Sequence, residues 1–192
     1  DPRAENFAAV LSAAKAGAAW ASTTLWVEYS PAIAAFLKAR GSREPEDLTS
    51  EVFLAVFDQL PGFMGGEPEF RSFIFSIAYR RLVDELRKRS RRGETAEWSP
   101  EIDPRTELSA EDAAAARQGD SEALALLDSL PTDQRDVMVL RIIGDLTIDQ
   151  IAEVLGKRQG AVKALQRRAL TALRKKVTQG RTPAADSSDS GE

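Results

Sequence analysis

Apolar residues recur along most of this chain at steps of three and four, the spacing that lines one face of an α-helix. Ala13 to Trp20 is Ala-rich and helix-prone, and residues 1–11 before it are expected to be frayed or to form a short helix. Leu25, Trp26, Tyr29, Ile33, Phe36 and Leu37 keep the helical step with Pro31 among them. That stretch predicts two helices, or one that begins with Pro in its first turn. Glu46 to Leu60 is the clearest amphipathic helix of the first half, with Leu48, Val52, Ala55 and Val56 along one side and Phe53, Phe57 and Leu60 beside it. Pro61 to Glu69 then interrupts the pattern with Pro and Gly. A long helix is predicted from Phe70 to about Arg91, apolar over a wide arc at first and strongly basic later. Two short helices follow, one carrying Leu124, Leu127 and Leu130, the other running from Asp133 to Ile143.

The stretch from Gly144 to Val177 predicts a helix, a turn and a second helix. Thr147 caps the first, whose Ile148, Ile151, Ala152 and Leu155 share a face, and Gly156 ends it. The second runs from about Gln159 to Lys176, with Val162, Leu165, Ala169 and Leu173 on one face and Lys163, Arg167 and Arg174 opposite. Lys157 to Lys176 holds eight basic residues and no acidic one. Such a pair of helices is a helix-turn-helix suited to a DNA major groove; the blander alternative is a solvated cationic helix at the end of a bundle.

The pattern therefore predicts an all-α chain: two small helical domains joined by an acidic linker, the second a four-helix domain with the helix-turn-helix. The expected divisions are an N-terminal segment at 1–18, a first domain at 19–92, the linker at 93–120, a second domain at 121–178 and a disordered tail at 179–192. A short helix within 109–117 is expected inside the linker.

Composition narrows the chemistry. Cys and His are both absent, which excludes disulfides, thiolate nucleophiles, Cys/His zinc sites and imidazole acid–base catalysis. No carboxylate or lysine constellation gathers either, so no enzyme, metal, cofactor or small-molecule substrate is expected. No apolar run reaches membrane-spanning length, and the chain is expected to be cytoplasmic. The formal net charge of −4 hides strong segregation. Arg80 to Arg92 carries seven basic residues against Asp84 and Glu85, and Gly93 to Glu122 carries nine acidic residues against Arg105 and Arg117. Two basic patches separated by an acidic connector suit a nucleic-acid partner better than the average charge suggests. In the Gly-rich loop, Phe63 and Met64 either plug the core or face a partner.

Three blocks carry a family resemblance. EDLTSEVFLAVFDQLPGF, FRSFIFSIAYRRLVDELRKRSRR and LPTDQRDVMVLRIIGDLTIDQIAEVLGKRQGAVKALQRRALTALRK resemble, in order and spacing, the bacterial sigma-70 family of RNA polymerase sigma factors, in its extracytoplasmic-function (ECF) group. The resemblance covers about residues 20 to 176. It implies a transcription initiation factor with core RNA polymerase, promoter DNA and an anti-sigma factor as partners. By position it assigns Asp47, Glu51, Val52, Phe53 and Val56 to core binding. Phe63, Met64 and Tyr79 become candidates for an unstacked base of the −10 element, with Arg71, Arg80, Arg81, Arg87, Lys88 and Arg89 on phosphates. The −35 duplex falls to Lys163 and Arg167, with Arg158, Gln159, Gln166 and Arg168 beside them.

The chain also departs from the family pattern. Thr49-Ser50 stands where Val-Gln is common, Arg80 where Asn is usual, and Ala164-Leu165-Gln166 replaces Ser-Arg-Leu. Promoter sequence therefore does not transfer from relatives. The competing expectation is a helix-turn-helix regulator that works without polymerase, which leaves Glu46 to Arg92 without a role.

Overall fold

The computed structural model describes residues 2–92 and 122–180. Helices α1 (Pro2–Lys15), α2 (Ala19–Ala39) and α3 (Pro45–Gln59) lead through a 3-10 turn at Leu60–Gly62 into α4 (Glu67–Arg91). After the linker come α5, helical over 122–128, α6 (Thr132–Ile142), α7 (Ile148–Leu155) and α8 (Gln159–Gly180). Among the described residues there is no strand, and no helix is long and apolar enough to cross a membrane. The expected linker, the short helix within it and the tail beyond residue 180 lie outside the described residues.

The first domain closes around α2 and α4. Ala21, Leu25, Tyr29, Ile33, Phe36 and Leu37 form the buried side of α2 and meet Val52, Phe53 and Val56 of α3 and Phe70, Ile74, Phe75, Ala78 and Leu82 of α4. Each large apolar side chain so buried contributes about 1.5–3 kcal/mol. Pro31 neither splits nor starts α2, which runs unbroken past it. It sits on the exposed side, and Val27, whose carbonyl loses its helical donor at Pro31, is itself exposed, so solvent reaches that carbonyl. The opening segment is a full helix: Phe7, Val10, Leu11 and Ala14 of α1 are buried at helical spacing against the rest of the domain. Gly17, with φ 83°, turns the chain between α1 and α2 inside the Ala-rich stretch expected to be helical throughout. Helix α4 starts three residues before Phe70, because Glu69 Oε2 accepts from the Gly66 amide at 2.8 Å and closes its first turn.

The second domain is built on α6. Val137, Met138, Val139 and Leu140 are buried in succession, more than one helix face can hide in a single domain. The reason is a second neighbour: α6 and α7 pack against α2 and α4 as well as against α8. At this junction Gly144 leaves no room for a side chain, since an added Cβ would lie 2.6 Å from the Leu140 carbonyl oxygen and 3.2 Å from the Phe75 ring.

Candidate nucleic-acid and polymerase interfaces

The turn between α7 and α8 is built as the sequence specifies. The Thr147 hydroxyl accepts from the Gln150 amide at 3.3 Å, and the Gln150 side chain accepts from the Thr147 amide at 2.7 Å, a reciprocal capping box. Gly156 adopts φ 62°, ψ 32°, the left-handed conformation that lets the Lys157 amide return to the Ala152 carbonyl at 2.9 Å. Replacing Thr147 with Ala is expected to lower stability by about 1 kcal/mol. Urea unfolding should show this as a lower midpoint at unchanged slope.

From that turn α8 leaves with Val162 and Ala169 buried against α6 and α7. Arg158, Gln159, Lys163, Arg167 and Arg168 are exposed and Gln166 is half-buried. Lys163, Gln166, Arg167, Leu170, Thr171 and Arg174 line a shallow groove along the helix. Among the described residues no acid pairs with Arg158, Lys163, Arg167, Arg168 or Arg174. Uncompensated cations on one exposed helix face attract a polyanion rather than stabilise the fold.

Helix α3 presents a different surface. Val52, Phe53 and Val56 are 0%, 1% and 0% exposed and belong to the core, so they support the helix and cannot touch a partner docking on it. Asp47, Glu51, Leu54 and Asp58 line an exposed side of α3, and Leu54 is 71% exposed. Leu54 and Asp58 were absent from the expected set. The signal for Leu54 was available, since it is an apolar residue on the polar side of an amphipathic helix.

The loop and α4 divide the remaining candidates. Phe63 lies in the core, its ring 5.6 Å from Phe70 and 5.0 Å from Phe73, and the Lys15 ammonium donates to its carbonyl. Met64, next in sequence, is 88% exposed. Of the two residues weighed as core plug or partner contact, Phe63 plugs the core and Met64 faces solvent. Arg80, Arg81, Arg87 and Lys88 are exposed along the basic half of α4, with Arg81 4.0 Å from Glu51 of α3. Arg89 is engaged, donating to the Gly41 carbonyl at 2.8 Å.

Arg71 and Tyr79 point at the second domain. Arg71 Nη1 donates to the Gly144 carbonyl at 3.2 Å, and the Tyr79 hydroxyl donates to Asp136 Oδ2 at 3.2 Å. The other Asp136 oxygen accepts from Arg40 Nε. Burial, reinforced by the Asp136 charge, pushes the Tyr79 hydroxyl up to about 12, so it stays protonated and donates. Burial also raises the Asp136 carboxyl, opposed by the Arg40 guanidinium and by hydrogen bonds from Arg40 and Tyr79.

Two helical domains, one ending in a helix-turn-helix whose basic face meets no acid among the described residues and the other in a long basic helix, have the build of a DNA-binding protein. Comparison with known proteins places it further. Residues 25–92 match the family model "Sigma-70 region 2" and residues 126–175 the model "Sigma-70, region 4". The ECF RNA polymerase sigma factor ShbA of Streptomyces griseus is 34% identical over 176 residues, covering 86% of this chain and 92% of the relative. SigD of Mycobacterium tuberculosis, also an ECF RNA polymerase sigma factor, is 29% identical over 90% of this chain and 84% of its own length. The chain belongs to the sigma-70 family, among the ECF RNA polymerase sigma factors, and is a transcription initiation factor. Two solved structures share its fold. The sigma factor RpoE of Bartonella quintana, crystallised with the anti-sigma factor NepR, has a TM-score of 0.64 at 20% identity over 83% of this chain and 98% of that one. CnrH, in complex with the cytosolic domain of CnrY, has a TM-score of 0.63 at 22% identity over 90% and 97%.

Proposed function

We propose that this protein docks on core RNA polymerase through the exposed face of α3, reads the −35 element as duplex with α8, and holds the −10 element as melted strand along α4. The observation that carries this reading is the basic face of α8, which meets no acid among the described residues and projects from a turn whose cap and left-handed Gly fix its angle. Lys163 and Arg167 stand one turn apart and reach base edges; Arg158, Gln159, Gln166 and Arg168 hold phosphates or flanking bases. On the first domain, exposed Met64 is the apolar group offered to an unstacked base, with Arg80, Arg81, Arg87 and Lys88 on the strand backbone. Asp47, Glu51, Leu54 and Asp58 form an acidic surface with an apolar centre for polymerase. The chain performs no bond chemistry of its own in this reading. An anti-sigma factor is the proposed regulator, since the related fold of RpoE was crystallised with one.

Reconstitution with core polymerase tests the whole scheme, and specific initiation in a promoter-selection assay is the expected result. Leu54→Arg provides the sharper test, because the site is exposed and stability should move by no more than about 0.5 kcal/mol. Core affinity is expected to fall by about tenfold or more, the scale of an interface anchor. Core affinity unchanged in that variant rules out the α3 surface, and a wild-type chain that never binds core rules out the scheme.

A further inference from the structure

Three cations of α8 have no task in the −35 reading. Lys157 pairs with Asp133 at 3.5 Å, and Arg158, Lys163, Arg167 and Arg168 are already assigned to the duplex. Arg174, Lys175 and Lys176 remain, all exposed. They do not complement the helix dipole. That effect fades within the last turn, and α8 runs on to Gly180 with no basic residue in its own last turn. Nor do they pair with an acid among the described residues. Packing gives no reason for them either. Val162 and Ala169 are buried and Leu173 is half-buried, but every residue from 174 to 179 is exposed, so α8 outruns the domain beneath it by about 9 Å.

Helical spacing decides what this overhang meets. Arg174 and Lys175 stand seven residues beyond Arg167 and Arg168. Seven residues fall within about 20° of two full turns, so each repeats its counterpart on the same line of the helix, about 10 Å farther on. Lys176 continues the line of buried Ala169 and turns away. A shallow trough of about 300 Å³ runs from Lys163 past Leu170 and Thr171 to Arg174. The Thr171 hydroxyl is turned back on the helix, donating to the Arg167 carbonyl at 2.9 Å, which leaves Arg174 as the charged group at that end. The major groove is about 12 Å wide, and Arg174 lies about 16 Å beyond Lys163 along the helix axis. With Lys163 on base edges, Arg174 therefore stands past the rim of the groove, beside the sugar–phosphate backbone.

Resting on the −35 reading proposed above, we infer that Arg174 and Lys175 form a separate phosphate clamp. They grip the backbone at the edge of the major groove and set the depth and angle of α8, while carrying no sequence information of their own.

The test needs no polymerase. The full chain is titrated at several salt concentrations with a labelled duplex of about twenty base pairs and unrelated sequence. Arg174→Gln combined with Lys175→Gln is expected to weaken binding by about tenfold per lost contact near 0.1 M salt, and to make the slope of log affinity against log salt shallower by about two. Arg174→Lys combined with Lys175→Arg preserves both charges and is expected to keep affinity and slope, which separates loss of charge from disturbance of the helix. On a selected promoter, the glutamine variant should lose the same factor from cognate and unrelated duplex. A loss confined to the cognate sequence overturns the clamp by making the two residues base readers. Unchanged affinity and slope on duplex also overturns it, and a fall in core affinity alone gives the overhang to polymerase instead. The duplex titration and the reconstitution above use different partners, so failure of one is distinct from failure of the other.

Discussion

Phe70→Ala is expected to remove about 3–5 kcal/mol of stability, the range for deleting a fully buried ring from a core that cannot collapse around the gap. Phe70 sits in the first turn of α4 at 0% exposure. Its ring centroid lies 5.4 Å from Phe7 on α1, 5.3 Å from Tyr29 on α2, 5.6 Å from Phe63 on the loop and 6.1 Å from Phe73 on α4. Each aromatic pair is worth about 0.5–1.5 kcal/mol beyond its buried area, and all four share this ring. Four elements would have to move inward together to fill the space, and rigid helices do so only in part. Urea unfolding reads the loss as a shift in midpoint, and limited proteolysis should show α1 cut first. A loss below about 1.5 kcal/mol would mean that the ring cluster is not what fastens α1 and the loop to the domain.

Lys163→Ala combined with Arg167→Ala is expected to abolish specific promoter use while leaving core binding and unfolding unchanged. Both residues are exposed on α8 and pair with no acid among the described residues, so the fold loses almost nothing. Each base-reading side chain is worth about 1–3 kcal/mol of discrimination, so the pair removes roughly 2–6 kcal/mol, from about thirtyfold upward in affinity for the cognate duplex. Titrating duplex into the reconstituted holoenzyme at several salt concentrations separates the alternatives. Loss confined to the cognate sequence supports base reading. Uniform loss across sequences, with the salt slope reduced by about one per lost contact, makes the two cations phosphate ligands. No loss at all returns α8 to the status of a solvated helix.

The helix-turn-helix was legible before the structure because its determinants are local. Thr147, Gln150 and Gly156 act within a few residues of themselves, and the 3.6-residue period of Val162, Leu165 and Ala169 needs no distant partner. Legibility fell where a residue's surroundings come from afar. The run Val137 to Leu140 contains a helical face, but nothing nearby reveals that α6 also packs against α2 of the first domain. Asp136 looks like a surface acid until Arg40 arrives from another domain. Phe63 and Met64 are chemically alike neighbours on an aperiodic loop, and only the ring cluster beneath decides that one turns in and the other out. On α3 the difficulty was different. Likeness to the family's core-binding helix carried Val52, Phe53 and Val56 along with Asp47 and Glu51, although the helical period already separated inward from outward positions.

Charge segregation also governs how this protein searches. Its basic helix α8 and the acidic face of α3 lie on different domains, and the whole chain carries −4. At physiological salt, fields fade over about 8 Å, so distant DNA meets a weakly repelling molecule while a phosphate beside α8 meets only cations. A free copy is therefore not drawn to bulk chromosomal DNA from afar. Adhesion is therefore short-ranged and salt-sensitive, beginning only where α8 itself comes within contact range of phosphate.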